Sequence, residues 1–459
     1  MSNPADANAT AVTSVAQLAD YVASGCKPRD QFRIGTEHEK FVFRRDDLTP
    51  APYLSEERDG RDIQTLLQRF AAREGQPILD AGNIVGLSLE GGSISLEPAG
   101  QFELSGTLLS TLHETEAEIR SHLDAARAIG SELGLGFLPL GFHPTARRDD
   151  MPWMPKGRYA VMRRYMPTVG SLGLDMMTRT CTVQVNLDFS SEDDMRRKLR
   201  VGLLLQPLAT ALFANSPLVE GRPSGYLSYR AHVWEDTDRQ RSGAPPIMFE
   251  PDFGFRRYVE WLLDQVPMYF VYRDGRYIDV AGRRFRDFMT GRIPELAGIQ
   301  PTVGDFADHM TTVFTDVRLK RFLEMRGADA GSPEMLVALP AFWVGLLYDP
   351  EALTAAEALV AGQGFAEYTA MRNAVPLEGL NAPWKRGTLR DLAAEIVPLA
   401  KAGLERRNRL DETGRTEGNY LRPLEAIAAG GPTQSERWLG RFNEKWEKSA
   451  TAIFTDASI

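Results

Sequence analysis

Cysteine is nearly absent from this 459-residue chain, which has only Cys26 and Cys181. Two thiols cannot build a disulfide framework or a four-thiolate zinc or iron–sulfur site, so any metal must be held by oxygen or imidazole. Long apolar runs are missing too. The two longest, Leu203 to Ala214 and Met335 to Tyr348, are each broken by proline and fall short of the ~20 residues a bilayer span requires, so they read as core segments. Net positive charge is also lacking: 53 basic against 62 acidic residues give −9, a field that repels nucleic acid and anionic lipid. The first twenty residues hold no Lys or Arg and no apolar stretch, which predicts neither a secretion signal nor a transit peptide and hence a cytoplasmic address.

What is present is the composition of a compact globular protein, 43% hydrophobic and 25% charged without low-complexity tracts. The length allows two or three domains of ~150 residues. No repeat and no linker divides the chain, so the expectation is a single catalytic domain over residues 1–459, of α+β class, mainly helical from about residue 350. Periodicity predicts helices over Val12 to Ala23, Asp62 to Glu74 and Thr107 to Leu133, and one from Ser191 to Phe213 bent at Pro207. Strands are expected over Phe32 to Phe43, Arg179 to Phe189, Met268 to Tyr272 and Arg318 to Met325. A hairpin over Ser93 to Ser105 is broken at Pro98-Ala99-Gly100, and Met151 to Met166 reads as a loop with a helical turn over Arg158 to Tyr165.

Three of these strands carry chemistry-grade side chains on one face. In Phe32 to Phe43 the two-residue period puts Glu37 and Glu39 on one side, about 7 Å apart, with His38 on the other as a packing residue. Such a pair asks for a hard cation such as Mg²⁺, unless it lies on a solvated edge. In the hairpin, Glu103 shares a face with Gln101 and Ser105, and Glu97 lies across from it. In Arg179 to Phe189, Thr180, Thr182, Gln184, Asn186 and Asp188 share one face, which meets either bulk water or a polar cavity. In Arg318 to Asp329 a strand reading places Lys320, Glu324 and Arg326 on one side, whereas a helical reading would scatter them. Arg158 and Arg230 lie in segments mixing guanidinium groups with aromatics, which suits capture of a carboxylate or phosphate. Carboxylates on sheet faces with scattered arginines describe a nucleotide–metal site in which electrostatics does the catalysis.

The strings Gly35-Thr-Glu-His-Glu-Lys40, Gly91-Gly-Ser-Ile-Ser-Leu-Glu-Pro98, Gln101-Phe-Glu-Leu-Ser-Gly106, Thr180-Cys-Thr-Val-Gln-Val-Asn-Leu-Asp-Phe189, Phe213-Ala-Asn-Ser-Pro217, Met325-Arg-Gly-Ala-Asp329 and Leu339-Pro-Ala-Phe-Trp-Val-Gly-Leu-Leu-Tyr-Asp349 together resemble the plant-type glutamate–cysteine ligases, a form also found in proteobacteria. The resemblance implies a glutamine-synthetase-like fold with a curved antiparallel sheet. It implies a reaction in which the γ-carboxylate of glutamate attacks ATP and cysteine then displaces phosphate from the γ-glutamyl phosphate, the first step of glutathione biosynthesis, with Mg²⁺ as cofactor. Residue by residue, it implies metal ligation by Glu37, Glu39, Glu103 and Glu324, with Gln184 and Glu97 beside them. It gives Arg326 to the γ-phosphate, making Arg326, Glu37 and Glu103 the catalytic set, and Lys320 with Arg326 to ATP. Arg158 and Arg230 match positions that hold glutamate. Plant members form regulatory disulfides, one of them using the stretch matching Tyr277-Ile-Asp-Val280, where this chain has Val280. Both cysteines are therefore expected to be free thiols. A carboxylate–amine ligase with another acceptor, or a nucleotide-binding regulator without chemistry, are the alternatives. The partners expected are small molecules, with no nucleic acid and no membrane; a homodimer is one option the sequence leaves open.

Overall fold

A computed structural model describes residues 9–459. Its centre is a nine-stranded sheet whose neighbouring strands all run antiparallel. The strands are β1 (Ile34–Arg44), β2 (Gln76–Asp80), β3 (Asn83–Ser88), β4 (Ser93–Leu96), β5 (Phe102–Ser105), β6 (Leu135–Leu138), β7 (Val183–Leu187), β8 (Val317–Leu319) and β9 (Leu323–Met325). They line up as β8-β9-β7-β1-β5-β4-β3-β2, with β6 beside the second half of β1.

Alternation decides the two faces. On the back, Ile34 of β1, Val183, Val185 and Leu187 of β7, and Leu323 and Met325 of β9 join one apolar core. Phe102 and Leu104 of β5 join a second one with Phe70 and Phe137. The helix Leu112–Leu133 lies against both, contributing Leu112, Ile119 and Leu123 to the first and Ala126 and Ile129 to the second. Its start is fixed by a reciprocal capping box between Thr111 and Glu114, and its end by Gly134 in the left-handed region at φ 66°. The helix Pro333–Leu347, buried from Met335 to Leu347, crosses Leu389–Arg407 at two facing glycines, Gly345 and Gly403. A Cβ on either would run into the other helix's backbone. From residue 350 onward the chain is mainly helical, as expected, apart from the two-residue strands Pro383–Trp384 and Gly387–Thr388.

Several expectations shift at element ends. The loop before Tyr165 holds a regular helix, Gly157–Tyr165. The segment from Arg179 to Phe189 is strand only over Val183–Leu187, because Arg179 closes the short helix Gly173–Arg179. Arg318 to Met325 is not one strand but the β8–β9 hairpin, turning at Lys320, whose N–H donates to the carbonyl of Phe322 at 2.8 Å. Strands β2 and β3 had no sequence expectation: the former has mostly exposed side chains and the latter reads as a plain apolar run.

Candidate active site

The polar face of the sheet carries three cross-strand rows. In the first, Ser95 pairs with Glu103, Glu103 with Glu39, and the Glu39 N–H donates to the carbonyl of Thr182 at 3.0 Å. In the second, Ser105 pairs with Glu37 and Glu37 with Gln184, whose Oε1 accepts from Arg326 at 2.5 Å. In the third, Gly35 pairs with Asn186, Asn186 with Glu324, and Glu324 with Arg318. A cavity enclosing about 790 Å³ opens over these rows. Glu37, Glu39, Glu97, Glu103, Gln184 and Thr182 line it together with Arg158, Arg230, Arg318 and Arg326.

Two carboxylate environments meet here. Glu39, Glu97 and Glu103 have no facing cation paired to them within salt-bridge distance among the described residues, and Glu39 suffers most. Burial, then the charges of Glu97 and Glu103, push its carboxyl well above the usual range. Burial, with Glu103, pushes Glu97 up to about 7. Two hydroxyls donate to Glu103, Ser95 at 2.7 Å and Ser105 at 3.0 Å. Glu324 is the opposite case. Fully buried, it accepts a two-pronged grip from Arg318 at 2.7 and 3.0 Å, an ion pair from Lys320 at 3.0 Å and another from Arg326. These three cations hold it well below the carboxylate range despite burial.

The expected residues therefore separate. Glu37, Glu39, Glu97, Glu103, Gln184, Arg158, Arg230 and Arg326 share the cavity wall, whereas Glu324 and Lys320 sit just behind it. The hairpin turn explains this placement, since it folds Lys320 back onto Glu324 instead of extending it along a strand. Arg318 was not singled out as a site residue. Nothing in its sequence context separates it from the adjacent Lys320 and Arg321, and only the hairpin register brings it opposite Glu324. Arg158 and Arg230 are buried, and the Nε of each is without a hydrogen-bond partner among the described residues. His38 lies on the back face, as expected, buried with its Nδ1 3.0 Å from Lys40 Nζ. Its Nε2 is unpartnered among the described residues, so it is not the satisfied packing residue anticipated.

Both cysteines are free, Cys181 buried and Cys26 half-buried. The carboxylates of Glu37, Glu39, Glu97 and Glu103 and the amide of Gln184 offer oxygen donors to the cavity, which suits Mg²⁺. Among the described residues no three His, Cys, Asp or Glu side chains converge closely enough to hold a metal ion.

An antiparallel sheet with a carboxylate-lined face and helices behind it defines an α+β fold of the glutamine-synthetase-like class. That fold is shared with a solved glutamate–cysteine ligase of Francisella tularensis in complex with AMP, at a TM-score of 0.57 and 12% identity, covering 93% of this chain and 87% of that one. The family described as glutamate-cysteine ligase family 2 (GCS2) matches residues 33–456, and the chain belongs to it. It is 53% identical over 440 residues to glutamate–cysteine ligase B, chloroplastic, of Oryza sativa subsp. japonica, covering 96% of this chain and 86% of that protein. It is 51% identical to the chloroplastic glutamate–cysteine ligase of Arabidopsis thaliana, covering 96% and 82%. The cytoplasmic address expected from the N-terminus is overturned by these relatives, which are named chloroplastic. The composition of the first twenty residues is no guide to compartment in this family.

Proposed function

We propose that this cavity is where the chain, an ATP-dependent glutamate–cysteine ligase, forms and consumes γ-glutamyl phosphate, acting as one catalytic unit over its whole length. The observation that carries the reading is the convergence of the carboxylates of Glu39, Glu97 and Glu103 and the guanidinium groups of Arg158, Arg230 and Arg326 on one cavity. Glu37, Glu39, Glu97 and Glu103, with Gln184, would hold Mg²⁺. Bound there, Mg²⁺ neutralises charge on the transferring phosphoryl group.

The chain's own residues divide the remaining work. Arg326, anchored by Gln184 and Glu324, keeps its guanidinium at the cavity wall, where it stabilises the γ-phosphate as charge builds on its oxygens. Glu324 acts from behind, fixing Arg326 and Arg318, and Lys320 reaches ATP only through that cluster. Arg230 donates to the carbonyls of Gly327 at 3.3 Å and Arg326 at 3.0 Å. These contacts aim its fork at a substrate carboxylate, and Arg158 helps from the helix Gly157–Tyr165, over the ring of Phe270.

The test is phosphate release from ATP and glutamate across a panel of amine acceptors, with and without EDTA. Turnover should require glutamate, an acceptor amine and Mg²⁺, and cysteine should give the highest kcat/KM. Equal turnover with every acceptor, or full activity in EDTA, would remove the acceptor or the metal assignment respectively.

A further inference from the structure

Arg230 is carried by the five-residue helix Tyr229–Val233, whose own ladder is too short to hold it still. Two hydroxyls accept from the start of that helix: Ser216 Oγ from the Arg230 N–H at 3.2 Å, and Ser228 Oγ from the Ala231 N–H at 3.1 Å. Both hydroxyls donate in turn to a single carboxylate. Ser216 reaches Asp329 Oδ2 at 2.7 Å and Ser228 reaches Asp329 Oδ1 at 3.0 Å, while the Asn215 N–H adds a third bond to Oδ2 at 2.8 Å. These residues lie in three separate stretches of the chain, and Asp329 is the one group that touches all of them.

Asp329 is fully buried and forms no ion pair among the described residues, an expensive way to fill space. An apolar side chain would serve packing alone; only a carboxylate accepts at both oxygens from three donors. The space is cut to it, since a Cβ on Gly141 would come within 2.3 Å of its Cγ. Asp329 also closes the string Met325-Arg-Gly-Ala-Asp329, which holds the other end of Arg230 through the carbonyls of Arg326 and Gly327. That string is fastened to the sheet by Thr182, which pairs with Asp329 in an isolated bridge and whose hydroxyl donates to the carbonyl of Ala328 at 2.7 Å. Burial lowers the pKa of Arg230, and the charge of Asp329 is the one that opposes this most.

We infer that Asp329, which lies outside the cavity lining, is a positioning residue for Arg230: its carboxylate orders the hydroxyls of Ser216 and Ser228, these fix the first turn of the helix Tyr229–Val233, and that turn sets the angle at which the guanidinium meets the substrate. The inference rests on the assignment of Arg230 to glutamate's carboxylate. Arg326 is anchored separately, by Gln184 and Glu324, so losing the Asp329 carboxylate touches the grip on glutamate and not the grip on ATP.

Steady-state kinetics of the full-length enzyme separate this role from a merely structural one, which would lower kcat or raise both KM values together. Asp329→Asn keeps the shape but turns an NH₂ group toward one of the donors. It should raise the KM for glutamate about tenfold, the scale of one lost hydrogen bond to a charged group, and leave the KM for ATP within about twofold. Because the loss passes through Arg230, it should vanish where Arg230 is already changed: Asp329→Asn added to Arg230→Lys should cost no further glutamate affinity than Arg230→Lys alone. Ser228→Ala, which removes one link of the relay, should raise the glutamate KM several-fold and likewise add nothing to Arg230→Lys. An unmoved glutamate KM in Asp329→Asn, an equal rise for ATP, or losses that multiply in the double variant would overturn the inference. Should Asp329→Asn fail to fold, Ser228→Ala decides it by the same three criteria. Arg230→Lys alone reports on the underlying assignment: if it leaves the glutamate KM at the parental value, that assignment fails whatever Asp329 does.

Discussion

Glu39 holds its place in the fold at an electrostatic cost, because it is buried beside the charges of Glu97 and Glu103 and no described cation lies within salt-bridge distance of it. Replacing it by glutamine keeps the shape and removes the repulsion. Glu39→Gln should therefore melt no lower than the parent, and both Glu39→Gln and Glu103→Gln should lose on the order of 10²–10³-fold in kcat, the scale of one missing electrostatic contact in a transition state. A variant with near-parental kcat at saturating Mg²⁺ would remove that residue from the metal shell. The two thiols make a second prediction at this scale. Burial pushes Cys181 well above the usual thiol range, and burial followed by Glu192 and Asp194 pushes Cys26 up, so neither is a ready thiolate. With 2-aminobutyrate as acceptor, the rate should be indifferent to dithiothreitol; a several-fold change abolished by Cys26→Ser would reveal a thiol switch. The carboxylates were legible in the sequence because a two-residue period states which side chains share a face. Resemblance, not pattern, singled out Arg158 and Arg230 for glutamate.

At the scale of elements, long periodic segments read correctly and short ones did not. The helix Leu112–Leu133 announces itself through apolar steps of three and four and through its capping box. The β8–β9 hairpin, with three residues in each strand, has too little alternation to tell two strands from one, and that error moved Lys320 into the cavity. The crossing of Pro333–Leu347 over Leu389–Arg407 was equally hidden, because a glycine inside a helix looks like a local weakness until its partner is known. Gly345 and Gly403 let the backbones touch, so Gly403→Ala forces the helices apart even though alanine favours a helix. The intrinsic gain of about 1 kcal/mol should be outweighed by an overpacking cost of typically 1–3 kcal/mol or more. Thermal melting should fall for Gly403→Ala; an unchanged or raised Tm would mean that the contact gives way freely.

For the whole molecule, protonation is the variable that the burial pattern controls. Four of the six histidines, His38, His122, His143 and His309, are buried. Burial lowers all four, to about 3 in His143, where Arg179 adds to it, and to about 4 in His309. In the unfolded chain they titrate near 6.5. A group whose folded pKa is depressed stabilises the fold above its unfolded pKa, and that stability is lost as pH falls toward the folded value. Each histidine therefore costs up to about 1.4 kcal/mol per pH unit between roughly 6.5 and 4. Glu39 and Glu97 act in the opposite direction: their folded pKa values are raised, so below about 7 the folded state takes up protons before the unfolded one and gains stability. Two carboxylates offset part of what four histidines lose, and Tm should decline from pH 7 to pH 5 without metal. Mg²⁺ held by those carboxylates would keep them ionised and cancel the offset, so the same decline should be steeper at saturating Mg²⁺. Melting curves over that range, with Mg²⁺ and with EDTA, measure both slopes. A Tm that rises on acidification would contradict the burial of the histidines as neutral groups, and identical slopes in the two conditions would separate Glu39 and Glu97 from the metal.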